Sequence, residues 1–166
     1  LFGEYGLGSK EVEPLKFSEI ERSKWDELKP YLDSCLLPVT GLTGEEQPWE
    51  ATEELEYLRD VLDCVEIPYK GRVVTYPAFQ YAVGDHARDM LDAVCGNLKK
   101  AGFRHIIVMT VKPDIAALEL KHADLLLCPE ALDGTVTPMV EFRELVSQRI
   151  RDMWQTVAKQ GANITN

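Results

Sequence analysis

The feature that most narrows the fold is an alternation of two hydrophobic periods along the chain. Four short runs are apolar at consecutive positions: Ser34-Cys-Leu-Leu-Pro-Val-Thr-Gly-Leu42, Arg72-Val-Val-Thr-Tyr-Pro77, His105-Ile-Ile-Val-Met-Thr110 and Asp124-Leu-Leu-Leu-Cys128. A strand apolar on both faces needs cover on both sides, which is the situation of a parallel sheet between helices. Between and after the runs the apolar residues recur at helical spacing. They are Leu55, Leu58, Val61, Leu62 and Val65, then Met90, Leu91, Val94, Leu98 and Ala101, then Phe142, Val146, Ile150, Met153 and Val157. A first short helix is expected from Ser18, with a capping box to Glu21, through Ile20, Trp25 and Leu28 to Pro30. Asp114 is expected to cap another short helix, reaching Ala123. The order predicts an α/β fold: a three-layer sandwich with a mostly parallel sheet of about four strands and helices on both faces.

Turn and cap residues agree with this order. Lys99 and Lys100 in a last helical turn, followed by Gly102, form a stop signal, and Thr137-Pro138 opens the final helix. Pro38 cannot donate to a ladder, so pairing is expected to be interrupted there or the strand to end. Residues 1–16 lack a sustained period and read as an N-terminal extension or tail. Residues 17–160 read as one α/β domain, and residues 161–166 as a C-terminal tail. Phe2, Tyr5 and Leu7 give the extension a surface for docking on the body or on a second subunit, hence an expected homodimer.

At 166 residues the chain can bury a real core. Its formal charge of −10 opposes broad attraction to nucleic acid or anionic lipid, and neither partner is expected. No apolar run approaches the length of a membrane span, and no secretory signal is visible. Cys35, Cys64, Cys95 and Cys128 contain no Cys-x-x-Cys pair and each lies in an apolar stretch. They read as buried, reduced thiols, which favours the cytoplasm and argues against a zinc site. No metal and no cofactor is expected.

In an open parallel sheet, ligands bind outside the C-terminal ends of the strands. The chain delivers Thr40, Gly41, Thr43, Glu45 and Glu46 there after the first strand. The second adds Tyr76, Gln80 and Tyr81, the third Thr110, Lys112 and Asp114, and the fourth Glu130. Candidate ligand-binding residues are therefore Thr43, Glu46, Tyr76, Gln80, Tyr81, Thr110, Lys112 and Glu130; no catalytic residue is assigned. Thr40-Gly-Leu-Thr-Gly44 is not a phosphate loop, since it lacks both G-x-G-x-x-G and a following Lys-Ser/Thr. Glu45, Glu46, Glu50, Glu53 and Glu54 have no spaced cation-ligand pattern and read as the solvated start of a helix. His86, His105 and His122 have no metal spacing, and His105 falls at the opposite edge of the sheet.

Two resemblances can be traced to particular residues. Trp25 to Pro38, Gly71-Arg-Val-Val-Thr-Tyr-Pro-Ala-Phe-Gln-Tyr81 and Leu98-Lys-Lys-Ala-Gly-Phe-Arg-His-Ile-Ile-Val-Met-Thr110 resemble the YpiF-like family of Bacillus-type bacteria. That resemblance, over about residues 18 to 158, implies a cytosolic Gram-positive protein with no assigned activity. Leu36-Leu-Pro-Val39 with Glu46-Gln47, and Ala101-Gly-Phe-Arg-His-Ile-Ile-Val108, are similar to segments of the creatininase-like amidohydrolases. Pro48 stands where that family has a ligand histidine, and Thr110-Val-Lys112 replaces its Asn-Gly-His-Gly-Gly-Asn stretch. The second resemblance thus implies shared architecture without the metal centre.

The leading expectation is a non-catalytic binding or protein-interaction domain that takes a protein partner or a small polar molecule. The alternative is an enzyme acting on a small polar substrate at the C-terminal edge, a degenerate creatininase-like hydrolase using Glu46, Tyr76, Lys112 or Glu130, of which a neighbouring Tyr76 phenol and Lys112 amine can share proton transfer.

Overall fold

Strands β1 (Ser34–Val39), β2 (Val73–Thr75), β3 (His105–Thr110) and β4 (Leu125–Leu127) form one all-parallel sheet in the order β2-β1-β3-β4. They are seen in a computed structural model that describes residues 15–162, with side chains through Thr156. The readings of residues 1–14 and 163–166 as tails, and of the Val157 side chain as part of a helical stripe, lie outside the described residues. Every residue of β1 and β3 is buried, as their unbroken apolar runs require. Leu36, Ile107 and Met109 point to one face, where α2 (Pro48–Glu66) and α5 (Met139–Ala162) cover them through Leu58, Val61, Val65, Phe142, Val146 and Ile150. Cys35, Leu37, Val39, Ile106 and Val108 point to the other. There α3 (Ala87–Lys100) supplies Leu91, Cys95 and Leu98, and α1 (Arg22–Leu28) adds Trp25 and Leu28. The result is the three-layer α/β fold. Among the described residues no helix is long and apolar enough to cross a membrane.

Pro38 does not end β1, which pairs with β3 through Pro38↔Met109 and Val39↔Thr110. The interruption lies on the β2 side. In a parallel ladder the amide and carbonyl of one residue face the same neighbour. The Pro38 carbonyl accepts from Phe79 N–H at 2.8 Å, while Tyr76 N–H donates to Leu36 and Thr40 N–H to the Phe79 carbonyl. The missing donor therefore falls between the Tyr76 and Phe79 contacts, beyond the end of β2. Lys16 bridges Thr75 in parallel, and Thr75 N–H donates to the Leu15 carbonyl, so the end of the expected extension lines the outer edge of β2.

Several local expectations shift. The first helix splits into a 3-10 turn, Phe17–Glu19, and α1; Glu19, not Ser18, caps it by accepting Lys16 N–H at 2.8 Å. The helix after β3, α4 (Pro113–Ala116), stops well short of Ala123. Met90 and Leu55 belong to the apolar periods of α3 and α2 but are 57% and 42% exposed. The expected stop signal after α3 is present, with Gly102 at φ +117° beyond Lys99 and Lys100.

The N-terminal ends of the strands are tied together by Asp33. Arg72 donates to it twice, Nε to Oδ1 at 2.9 Å and Nη2 to Oδ2 at 3.1 Å. The Asp33 carbonyl accepts the N–H groups of Arg104 and His105. The Arg72 guanidinium also lies 4.0 Å over the Trp154 ring of α5, whose indole N–H donates to Ser34 Oγ at 2.9 Å. Burial raises the Asp33 carboxyl, but the hydrogen bonds from Arg72 and Ser34 and the charges of Arg72 and His105 outweigh it and leave it below its usual range. One guanidinium thus joins β1, β2 and α5.

Replacing it by an ammonium keeps the charge and removes both the fork and the stacking plane. Because Arg72 is partly exposed, Arg72→Lys is expected to cost about 1 to 2 kcal/mol in urea unfolding. A loss below about 0.5 kcal/mol, within the range of an ordinary surface substitution, would show that the clamp does not hold these elements.

Candidate functional site

The strand order reverses between β1 and β3: the chain leaves β1 for the β2 side and leaves β3 for β4. The loops diverging from such a point leave a crevice at the C-terminal edge, the usual ligand position of doubly wound sheets. Here it is a cleft of about 740 Å³ lined by the loop after β1, the exposed face of α2, the loop after β3, and Glu130 beyond β4.

Its floor is set by a close approach of the two loops. Gly41 has φ +66°, and a Cβ placed on it would lie 2.7 Å from Lys112 Cγ. Only glycine allows both the left-handed turn and the passage of the Lys112 stem over the backbone. Lys112 is held at its own end by donating N–H to the buried Thr110 hydroxyl at 3.1 Å, and its ammonium pairs with Glu54 of α2. Thr40, also buried, donates its hydroxyl to the Gln80 carbonyl and anchors the other end of the loop.

Glu46 folds the loop back on itself. Its carboxylate accepts Thr43 N–H at 2.8 Å, Thr43 Oγ–H at 3.1 Å and Gly44 N–H at 2.9 Å. The Thr43 amide leads this set, and together the donors hold the Glu46 carboxyl down at about 2. Gln47 N–H then donates to Glu50 at 2.8 Å, and Pro48 starts α2. From there Glu50, Glu53, Glu54 and Tyr57 follow one another at helical spacing along the cleft wall, with Trp49 on the rim. Burial raises the Tyr57 phenol, and the nearby charges of Glu130 and Cys128 raise it further.

Of the residues expected at this edge, Thr43, Glu46, Lys112 and Glu130 line the one cleft. Thr110 is fully buried and serves the Lys112 backbone. Gln80 contributes its carbonyl to Thr40, and Tyr81 is 62% exposed on the loop after β2. Tyr76 lines a separate aromatic hollow with Phe17, Trp25 and Phe103, edge-on to Phe103 at 5.1 Å. Burial, and then Cys35, raise its phenol. Tyr76 and Lys112 are thus not brought into one cavity. Trp49 and Tyr57 escaped the sequence reading. The signal that finds them is the helical spacing of Trp49, Glu50, Glu53 and Tyr57 at the start of α2, where Tyr57 also packs against the core.

Other chemistry is sparse. Among the described residues no three of His, Cys, Asp and Glu are grouped to hold a metal ion. All four cysteines are free, and burial raises every thiol, Cys95 to about 11 with help from Asp92 and Asp124. Raised thiols are poor nucleophiles. His122 pairs with Asp92 at 2.9 Å and its backbone N–H donates to the same carboxylate, fastening the segment before β4 to α3.

The fold and cleft define a doubly wound parallel α/β protein with an acidic crevice at its switch point. The family model described as "Protein of unknown function (DUF2487)" matches residues 23–160, and the chain belongs to that family. No curated protein and no solved structure matches it.

The Glu46 geometry has a measurable consequence. A carboxyl whose folded value lies below its ordinary 4.5 orders the loop fully above about pH 4.5 and releases it as pH falls toward 2. The amide resonances of Thr43 and Gly44 are therefore expected to stay flat between about pH 5 and 3.5, and to move only at lower pH. A midpoint near 4.5 would mean that the carboxylate does not hold the loop.

Proposed function

We propose that this domain is a non-catalytic binding module whose C-terminal sheet edge receives a basic, partly apolar segment of a protein partner. One observation carries the reading: among the described residues, six carboxylates, Glu45, Glu46, Glu50, Glu53, Glu54 and Glu130, line a cleft whose single cation, Lys112, is already paired with Glu54. Such a wall attracts cations and repels phosphate or carboxylate ligands. Exposed apolar side chains lie at the same edge of the sheet. Trp49 is 62% exposed in the first turn of α2; Leu132 (72%) and Val136 (53%) follow β4, and Val140 (70%) opens α5. Charge for attraction beside apolar area for affinity is the pattern of a protein interface, more than of a site for a small polar molecule.

The competing enzymatic reading uses Glu46, Tyr76, Lys112 or Glu130; Tyr76 lines a different cavity from the other three, so its phenol and the Lys112 amine do not share a site. The four free thiols fit a reducing compartment, and the cytosol is the setting we propose.

The probe is a decapeptide of alternating Arg and Leu, with its Glu-Leu counterpart as control, followed by amide shift perturbation and Trp fluorescence. Binding of the basic peptide is expected to perturb the 41–57, 111–113 and 130–140 segments and to weaken steeply with salt. The Glu50→Gln, Glu53→Gln, Glu54→Gln triple variant is expected to bind at least about tenfold more weakly, roughly 1.4 kcal/mol. Equal binding of the acidic peptide, or perturbation confined to another face, would remove the proposal.

A further inference from the structure

At the sheet edge opposite the cleft, His105 is 2% exposed, and among the described residues its Nδ1 has no hydrogen-bond partner. A buried polar atom left unpaired calls for an explanation. Its alternation with Ile107 and Met109 turns the imidazole toward α5, and it lines a cavity of about 470 Å³ with Arg149, Asp152, Met153 and Thr156 of that helix. Its Nε2 lies 3.9 Å from Asp33 Oδ2, too far for a hydrogen bond. We infer that His105 is an acid-sensitive latch which holds the C-terminal half of α5 on the sheet when neutral and releases it when protonated.

The charges around the ring come from every side. Asp33 precedes β1, and Asp124 precedes β4; both favour the imidazolium. Arg72 precedes β2 and Lys99 lies on α3, and both oppose it. Arg149 and Asp152 of α5 share the cavity. Asp33 is already engaged twice by Arg72, and Asp124 by Lys99 and by the Ile106 N–H, and neither carboxylate is hydrogen-bonded to the ring. Protonation would put an N–H on both ring nitrogens, and among the described residues Nδ1 has no hydrogen-bond partner to receive it. Burial is the leading reason that the ring holds its proton less tightly than an ordinary histidine.

Release of α5 is the local way out. Arg149, Asp152 and Thr156 are exposed, and among the described side chains beyond Ile150 only Met153 and Trp154 are half-buried, whereas Phe142, Val146 and Ile150 are fully buried. Lifting the last turns would let water reach Nδ1 without opening the core. The sign follows from linkage. The opened segment takes up its proton at about 6.5 and the closed one only at lower pH, so closure is strongest above about 6.5 and weakens below it.

The test is native-state amide exchange of the full chain at pH 7.5 and 5.5, corrected for intrinsic rates. Exchange within residues 149–156 is expected to accelerate, by up to about tenfold per pH unit below 6.5, while the inner turns of α2 and α3 keep their protection. His105→Gln is expected to abolish that pH dependence. Uniform acceleration of all helices, unchanged exchange in α5, or pH dependence retained in His105→Gln would overturn the latch. Should the variant fail to fold, the His105 ring resonance of the unaltered chain decides. A titration midpoint below 6.5 that coincides with α5 opening supports the latch, and a midpoint at or above 6.5 overturns it.

Discussion

The double-sided burial of β1 and β3 is the constraint on which the other features rest. Both strands are buried over their whole length, Leu36, Ile107 and Met109 against one hydrophobic cluster and Cys35, Leu37, Val39, Ile106 and Val108 against the other. With neither face free, the strands can present chemistry only at their ends. The C-terminal ends open into the acidic cleft. At the N-terminal ends, Asp33, Arg72 and Trp154 close the structure. In a sheet of four strands, two of them only three residues long, those ends cannot be adjusted independently of the core.

The two ends use polar groups differently. At the closed end the charges are spent on one another: Arg72 on Asp33, Lys99 on Asp124, and the Trp154 indole on Ser34. At the open end they are left over. Glu46 is satisfied by its own loop and Glu54 by Lys112, but no ion pair neutralises Glu45, Glu50, Glu53 or Glu130 among the described residues. Folding alone does not need that surplus of negative charge, since like charges on one helix face destabilise it slightly. A surplus that the fold does not use is better explained by what the edge meets.

Much of this was legible in the chain because it rests on period. The unbroken apolar runs predicted strands covered on both faces, and β3 begins and ends where its run does. Pro38 was legible only in part: its missing donor forbade a continuous ladder, but which neighbour lost the bond depended on where β2 turns away. The first helix was misjudged because a capping pattern at Ser18 and Glu21 competes with one at Lys16 and Glu19, and only the second is consistent with Lys16 pairing to Thr75. At the site, the topology rule brought Thr43, Glu46, Lys112 and Glu130 to one edge. It did not separate them from Tyr76, whose ring lies with Val74 on the α1 and α3 side of the sheet and packs on Phe103. The pairing of Lys112 with Glu54 is non-local and depends on Gly41, whose role appears only when the two loops meet in space.

The proposed interface and latch meet opposite ends of α5, Val140 at one and Met153 at the other, and the packing of α5 keeps them apart. Met139 contacts Cys64 at 3.7 Å, and Phe142, Val146 and Ile150 then anchor three successive turns in the core before Met153 and Trp154 reach the Asp33 clamp. Among the described side chains, loss of the last turns frees the half-buried Met153 and Trp154, with the Arg72 and Tyr69 contacts of the indole ring and its hydrogen bond to Ser34. Loss of the first turns would expose fully buried residues, each contributing roughly 1.5–3 kcal/mol by its burial. The cheaper opening therefore begins at Trp154 and stops at Ile150. An acid response confined to that stretch leaves Glu130, Val136 and Val140 where the cleft needs them. Binding at one end and release at the other can then operate in one domain without either requiring the other.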